Sequence, residues 1–127
     1  FDDVLGQADV ISLHCPLTDA TRNLLGRDQL KRMKKTAILI NTARGGLVDS
    51  AALAEALASG EIHAAAVDVL PQEPPVDGDR LLDYEGDNLV ITPHIAWASR
   101  TARQQLLNEI VSNIRAFQAG NMRNQVN

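Results

Sequence analysis

One cysteine, Cys15, stands in the whole 127-residue chain. That excludes an internal disulfide and any metal cage built from cysteines, and it fits a reducing compartment. No apolar run approaches the roughly 18 residues needed to span a bilayer. The opening stretch FDDVLGQADV has neither the basic start nor the apolar middle of a secretion signal. Blocks of like charge are missing too: with a formal net charge of -4 and no basic cluster, the chain has no electrostatic footprint for DNA, RNA or an anionic membrane. Internal repeats and low-complexity segments are likewise absent. These absences predict a soluble, cytoplasmic protein without nucleic-acid or membrane partners.

What is present suits a folded core. Apolar residues make up 45% of a chain of one-domain length. Residues 8–14 (ADVISLH) form a short β-branched apolar run stopped by Pro16, the pattern of a buried strand. Residues 27–33 place Leu30 and Met33 at helical spacing, and residues 36–41 read as a second strand. Asp49 is a good N-cap for SAALAEALASG, with Leu53, Ala56 and Leu57 on the apolar face and Gly60 as the stop. A third strand is expected over 62–70, where three alanines suit a helix packed close above. An acidic, proline-rich stretch follows over 71–87, with one turn of helix at 80–82. A fourth strand is expected over 88–92, then a long helix capped by Ser99 and ended by Gly120. Its apolar stripe is Leu106, Leu107, Ile110, Val111, Ile114 and Phe117. The chain opens at Phe1 without an initiator Met, as the tail of a helix leading into a strand, and is expected to be a piece of something longer.

Apolar strands alternating with helices predict an α/β fold with a doubly wound parallel sheet. Ligands of such sheets bind beyond the carboxyl ends of the strands. The strands here end in His14-Cys15-Pro16, in Thr42-Ala43-Arg44, in Asp68 with Glu73 close behind, and in Pro93-His94. Each residue has an ordinary reading when taken singly. Arg44 could be a surface arginine in a turn whose glycines only permit unusual dihedrals; Asp68 could cap a turn; Glu73 could be solvated; His94 could be a loop histidine. Chance placement of all four at one sheet edge is a poor explanation. A guanidinium grips a carboxylate bidentately, and a histidine paired with a carboxylate exchanges a proton near neutral pH. That set is the polar half of a site for a 2-hydroxy or 2-keto acid. Something to carry hydride is the missing half.

Four segments, HCPLT, INTARGGLVD, AAAVDVLPQEPP and TPHIAWAS, resemble in order and spacing the nicotinamide-domain half of the D-isomer-specific 2-hydroxyacid dehydrogenases. The last is most similar to the glycerate dehydrogenase or hydroxypyruvate reductase branch, and the resemblance covers nearly the whole chain. It implies a Rossmann-type fold, NAD as cofactor with NADP possible, and hydride transfer to a small 2-keto acid such as hydroxypyruvate or glyoxylate, or from D-glycerate. By this resemblance Arg44 would hold the substrate carboxylate and help polarise its carbonyl, and His94 would be the acid/base. Glu73 would hydrogen-bond His94 and favour its protonated form. Asp68 would accept from the nicotinamide carboxamide. The backbone around Pro16, Thr42 and Ala43 would line the cofactor, as Arg44 and His94 would from the substrate side, with Thr21 a further cofactor candidate. Ala96 and Trp97 would continue the pocket wall, Trp97 serving equally well in packing or subunit contact. Glu73 also argues against formate as substrate, since the formate dehydrogenase relatives pair this histidine with glutamine.

The family's GxGxxG turn and its ribose-reading selector residue have no counterpart here, because the only adjacent glycines are Gly45 and Gly46. The resemblance therefore implies that residues 1–127 are the C-terminal half of a dinucleotide-binding domain, with the substrate domain elsewhere. It implies a homodimer for the full-length protein. In the family's strand order, 3-2-1-4-5-6, the strand at 10–14 would pair with a strand outside this chain. Alone, the segment is expected to expose an apolar edge and one uncovered face, and to self-associate. A second reading comes from corepressors of similar fold, which bind dinucleotide to control assembly. A third, a stand-alone module binding through its open edge, fits poorly with residues that serve a site it cannot complete.

Overall fold

The computed structural model describes residues 1–126 and divides them into two compact units, one spanning Phe1–His94 and the other starting at Ile95. In the first unit, α1 (Asp2–Gln7) leads into β1 (Val10–Leu13). There follow α2 (Arg27–Arg32), β2 (Ile38–Asn41), a 3-10 turn over Gly45–Leu47, α3 (Ser50–Ser59), β3 (Ala64–Val67) and β4 (Leu89–Ile91). All strand pairs are parallel, in the order β1-β2-β3-β4. This is the expected α/β arrangement, Rossmann-like, with β1 on the edge. The strands are shorter at their ends than the apolar runs suggested: β3 ends at Val67, although the Asp68 amide still donates to the Asn41 carbonyl at the end of β2.

Register explains which side chains meet. Ile11, Leu39, Ala65 and Leu89 lie abreast, as do Leu13, Asn41, Val67 and Ile91. These rows form one face of the sheet. They pack with Leu5 of α1, Leu30 of α2, and Leu53, Ala56 and Leu57 of α3 into a single core. Each fully buried leucine there contributes about 2 kcal/mol of transfer free energy. The alternate rows, Val10-Ile38-Ala64 and Ser12-Ile40-Ala66-Val90, are half-buried to exposed. Within this unit one face of the sheet is therefore buried and the other half-buried to exposed.

Helix ends follow their signals. Asp49 Oδ1 accepts from the amides of Ala51 and Ala52, each at 3.0 Å. Gly60 stops α3 in the left-handed region at φ 69°, where glycine carries no Cβ penalty. The turn expected near residue 80 forms as well, with Asp79 Oδ1 accepting from the Leu81 amide at 2.9 Å. In the second unit, α4 (Arg100–Gln118) is capped by Ser99 and followed by Gly120 at φ 75°. Its stripe from Leu106 to Phe117 is exposed throughout.

Candidate active site

The turn after β2 is built around Asn41. Its carboxamide Oδ1 accepts from the Ala43 amide at 3.1 Å, and its Nδ2 donates to the Arg44 carbonyl at 2.9 Å. The Arg44 guanidinium donates back to the Ala43 carbonyl at 2.6 Å. Arg44, Ala43 and Thr42 line an open cleft of about 680 Å³ together with His14, Cys15, Pro16 and Leu17 from the end of β1. Thr21 stands behind this cleft: its hydroxyl donates to the Pro16 carbonyl at 2.8 Å and accepts from the Thr18 amide at 2.7 Å. That closes the loop after β1 and holds Pro16 in place.

The two glycines after Arg44 do something other than supply unusual dihedrals, since neither has positive φ. A Cβ on Gly45 would lie 2.0 Å from the Leu70 carbonyl carbon and 2.3 Å from the Pro71 nitrogen. The arginine turn is thus seated directly on the backbone of the loop after β3. A Cβ on Gly46 would meet the Leu17 side chain at 2.9 Å. At Gly45 close approach to backbone, rather than backbone freedom, demands glycine.

The loop on which Gly45 sits carries Glu73. One oxygen of Glu73 accepts from the Leu70 amide at 2.8 Å, and the other lies 2.6 Å from Nδ1 of His94. Bonding to His94 first, and to the Leu70 amide second, lowers the Glu73 pKa below its ordinary 4.5. Nδ1 of His94 faces this carboxylate, so the expected histidine–carboxylate pair is formed. His94 adopts φ 53°, a left-handed conformation uncommon outside glycine and found at sites where surrounding contacts over-determine the backbone. The pair borders a second cleft, about 520 Å³, walled by Leu70, Pro74, Pro75, Leu82, Ile91, Thr92 and Pro93. Apolar walls beside a carboxylate–imidazole pair suit proton transfer to a small organic molecule.

Asp68 closes β3. It is buried, its amide donates to the Asn41 carbonyl at 2.9 Å, and its Oδ1 accepts from the Thr92 hydroxyl. The structure therefore brings Pro16, Thr42, Ala43 and Arg44 to one cleft and Glu73 and His94 to another, and the Gly45 contact joins the two walls. Ala96 and Trp97 belong to the second unit, where both are exposed. Sequence reading missed Asn41, Thr92 and the seat under Gly45. A signal existed for the first: a carboxamide ending an apolar strand, at a position that register turns inward.

A dinucleotide's nicotinamide end fits what is present, because the first cleft lies at the ends of two parallel strands and is lined by both polar and apolar residues, Thr42 and Arg44 beside Pro16, Leu17 and Ala43. No glycine-rich cradle for its pyrophosphate exists in the sequence. Among the described residues, no cluster of side chains suited to a metal ion occurs, and no helix is long and apolar enough to cross a membrane.

Comparison with known proteins agrees with the geometry. Residues 1–96 match the family model described as D-isomer specific 2-hydroxyacid dehydrogenase, NAD binding domain. The chain is 55% identical over 125 residues to a glycerate dehydrogenase of Methylorubrum extorquens, covering 98% of this chain and 40% of that protein. It is 45% identical over 119 residues to a glyoxylate reductase of Aeropyrum pernix, covering 94% of this chain and 35% of that protein. In structure it is similar to the NAD-complexed D-isomer specific 2-hydroxyacid dehydrogenase from Lactobacillus delbrueckii ssp. bulgaricus. The TM-score is 0.83 at 38% identity, over 98% of this chain and 41% of that one. The chain thus spans about two fifths of these relatives' lengths.

Proposed function

The chain belongs to the D-isomer specific 2-hydroxyacid dehydrogenases through their NAD-binding domain, and we propose that it is the catalytic-side half of that domain in a 2-keto acid reductase. Hydroxypyruvate and glyoxylate, with D-glycerate in the reverse direction, are the proposed substrates. The observation that carries this reading is the pairing of His94 Nδ1 with Glu73 on a loop that also seats the Arg44 turn.

Arg44 binds the substrate carboxylate in this mechanism and draws electron density from the adjacent carbonyl, a role suited to a planar, permanently charged donor. His94 delivers a proton from its Nε2 to the carbonyl oxygen, and takes it back when a 2-hydroxy acid is oxidised. Glu73, ionised across the neutral range, faces Nδ1 and so leaves Nε2 for the substrate. Asp68, held by Thr92 at the end of β3, is the acceptor we assign to the carboxamide of the nicotinamide. Backbone of Pro16, Thr42 and Ala43, with Thr21 behind, shapes the cofactor side of the cleft, and Ala96 extends the cofactor-binding set. NAD supplies the hydride; NADP remains an alternative, since the selector lies outside these residues.

The proposal includes a homodimeric, cytoplasmic parent protein carrying the substrate domain and the glycine-rich turn on residues beyond this chain. The exposed stripe of α4 is a surface such an assembly would cover, and the single thiol fits a reducing compartment. The dinucleotide-sensing reading has no observation in its favour. The test is oxidation of NADH by the complete polypeptide in the presence of hydroxypyruvate or glyoxylate. Turnover with either supports the proposal; NADH binding without turnover of any 2-keto acid overturns it.

A further inference from the structure

Among the described residues, Asn41 is one of two buried polar or charged ones, 1% exposed in a row otherwise made of Leu13, Val67 and Ile91. A carboxamide there costs free energy unless its polar atoms are bonded, and an aliphatic side chain would fill the row more favourably. Both ends of the carboxamide are used, and both on the same turn: Oδ1 at the Ala43 amide, Nδ2 at the Arg44 carbonyl. The Asn41 main-chain carbonyl is used as well, by the Asp68 amide at 2.9 Å. One residue thus ties the arginine turn to the core and to the end of β3. The turn's next residue, Gly45, rests on the Leu70–Pro71 backbone, so Arg44 is fixed on both sides of its Cα.

We propose that Asn41 is a positioning residue for Arg44, fixing the turn from which the guanidinium reaches the substrate carboxylate. The inference rests on reading Arg44 as the carboxylate anchor. A long side chain with about 2 kcal/mol of rotamer entropy grips a carboxylate bidentately only if its base is fixed. Misplacement of such a group by about 1 Å costs up to a hundredfold in rate. Without the carboxamide, the Ala43 amide loses its partner and the Arg44 carbonyl keeps only the Leu47 amide, at 3.2 Å, so the peptide between Ala43 and Arg44 is held less firmly.

The test uses the complete polypeptide and compares Asn41→Ser, Arg44→Ala and the double variant by steady-state kinetics and thermal melting. Asn41→Ser is expected to raise KM for the 2-keto acid about tenfold and KM for NADH by a clearly smaller factor, since the Ala43 backbone it also holds borders the cofactor side. In the Arg44→Ala background the same change is expected to add nothing to KM for the keto acid, because its effect runs through the arginine. If Asn41→Ser does not yield folded protein, Asn41→Asp serves. It keeps an acceptor for the Ala43 amide, loses the donor to the Arg44 carbonyl, and is expected to show the same split in KM. An Asn41 variant that melts lower but keeps its KM for the keto acid, or one whose effect on KM persists undiminished without Arg44, overturns the proposal. Arg44→Ala alone separates the two claims. Unchanged KM there refutes the anchor and the inference together, whereas raised KM there with unchanged KM in the Asn41 variants refutes the inference only.

Discussion

Glu73 holds Nδ1 of His94 at 2.6 Å with one carboxylate oxygen and the amide of Leu70 at 2.8 Å with the other. A carboxylate fixed at both oxygens is an orienting group: it sets the direction of the imidazole ring and leaves the opposite nitrogen for chemistry. That division of labour determines what each substitution should do.

Replacing His94 by glutamine removes the proposed proton donor and keeps a polar side chain of similar reach. Turnover of 2-keto acid by the complete polypeptide should fall by about 10²- to 10⁴-fold, with the dissociation constant for NADH within about twofold. Fluorescence titration of NADH alongside steady-state rates separates the two quantities.

Glu73 yields a prediction about acid stability. Its pKa is lowered in the folded state from an ordinary 4.5, chiefly by the His94 bond and then by the Leu70 amide. A lowered carboxylate pKa contributes stability that is present above the unfolded value and is lost as pH falls through the folded one. The parent should therefore lose stability more steeply than Glu73→Gln from about pH 5 downward. Because the pair is partly solvated, with the Glu73 side chain 36% exposed, the difference should not exceed about 1 kcal/mol. Denaturant titrations at stepped pH measure it.

The glycine positions should behave unequally. Gly45→Ala places a Cβ inside the Leu70–Pro71 backbone, at 2.0 Å from the nearest atom, a clash that no rotamer relieves. It should destabilise by roughly 3 kcal/mol or fail to fold. Gly6→Ala, in α1, meets nothing nearer than 3.8 Å and should be neutral or stabilising by about 0.5–1 kcal/mol. Melting temperatures of the two variants check the contrast.

Much of this architecture was legible in the sequence because it rests on local rules. The caps at Asp49 and Ser99 and the stops at Gly60 and Gly120 are decided by neighbours in the chain. The apolar runs placed the four strands, and the strand-end rule placed Arg44, Asp68, Glu73 and His94 at the chemical edge. Contacts between distant segments were not legible. The seat of Gly45 on Leu70 and the Thr92–Asp68 bond depend on how three crossovers bring loops together. Asn41 was visible as a residue but not as a staple, since its burial is set by strand register. Gly45 likewise lets two backbones touch, a contact set by the packing of distant loops rather than by its chain neighbours.

The central claim is that Arg44 holds a substrate carboxylate, and it is tested most directly by comparing hydroxypyruvate with its uncharged amide in the parent and in Arg44→Ala. The parent is expected to prefer the carboxylate by at least about tenfold in kcat/KM, and Arg44→Ala to lose most of that preference with a strongly raised KM and reduced turnover. An Arg44→Ala variant that keeps the parent's preference for the charged substrate would contradict the account.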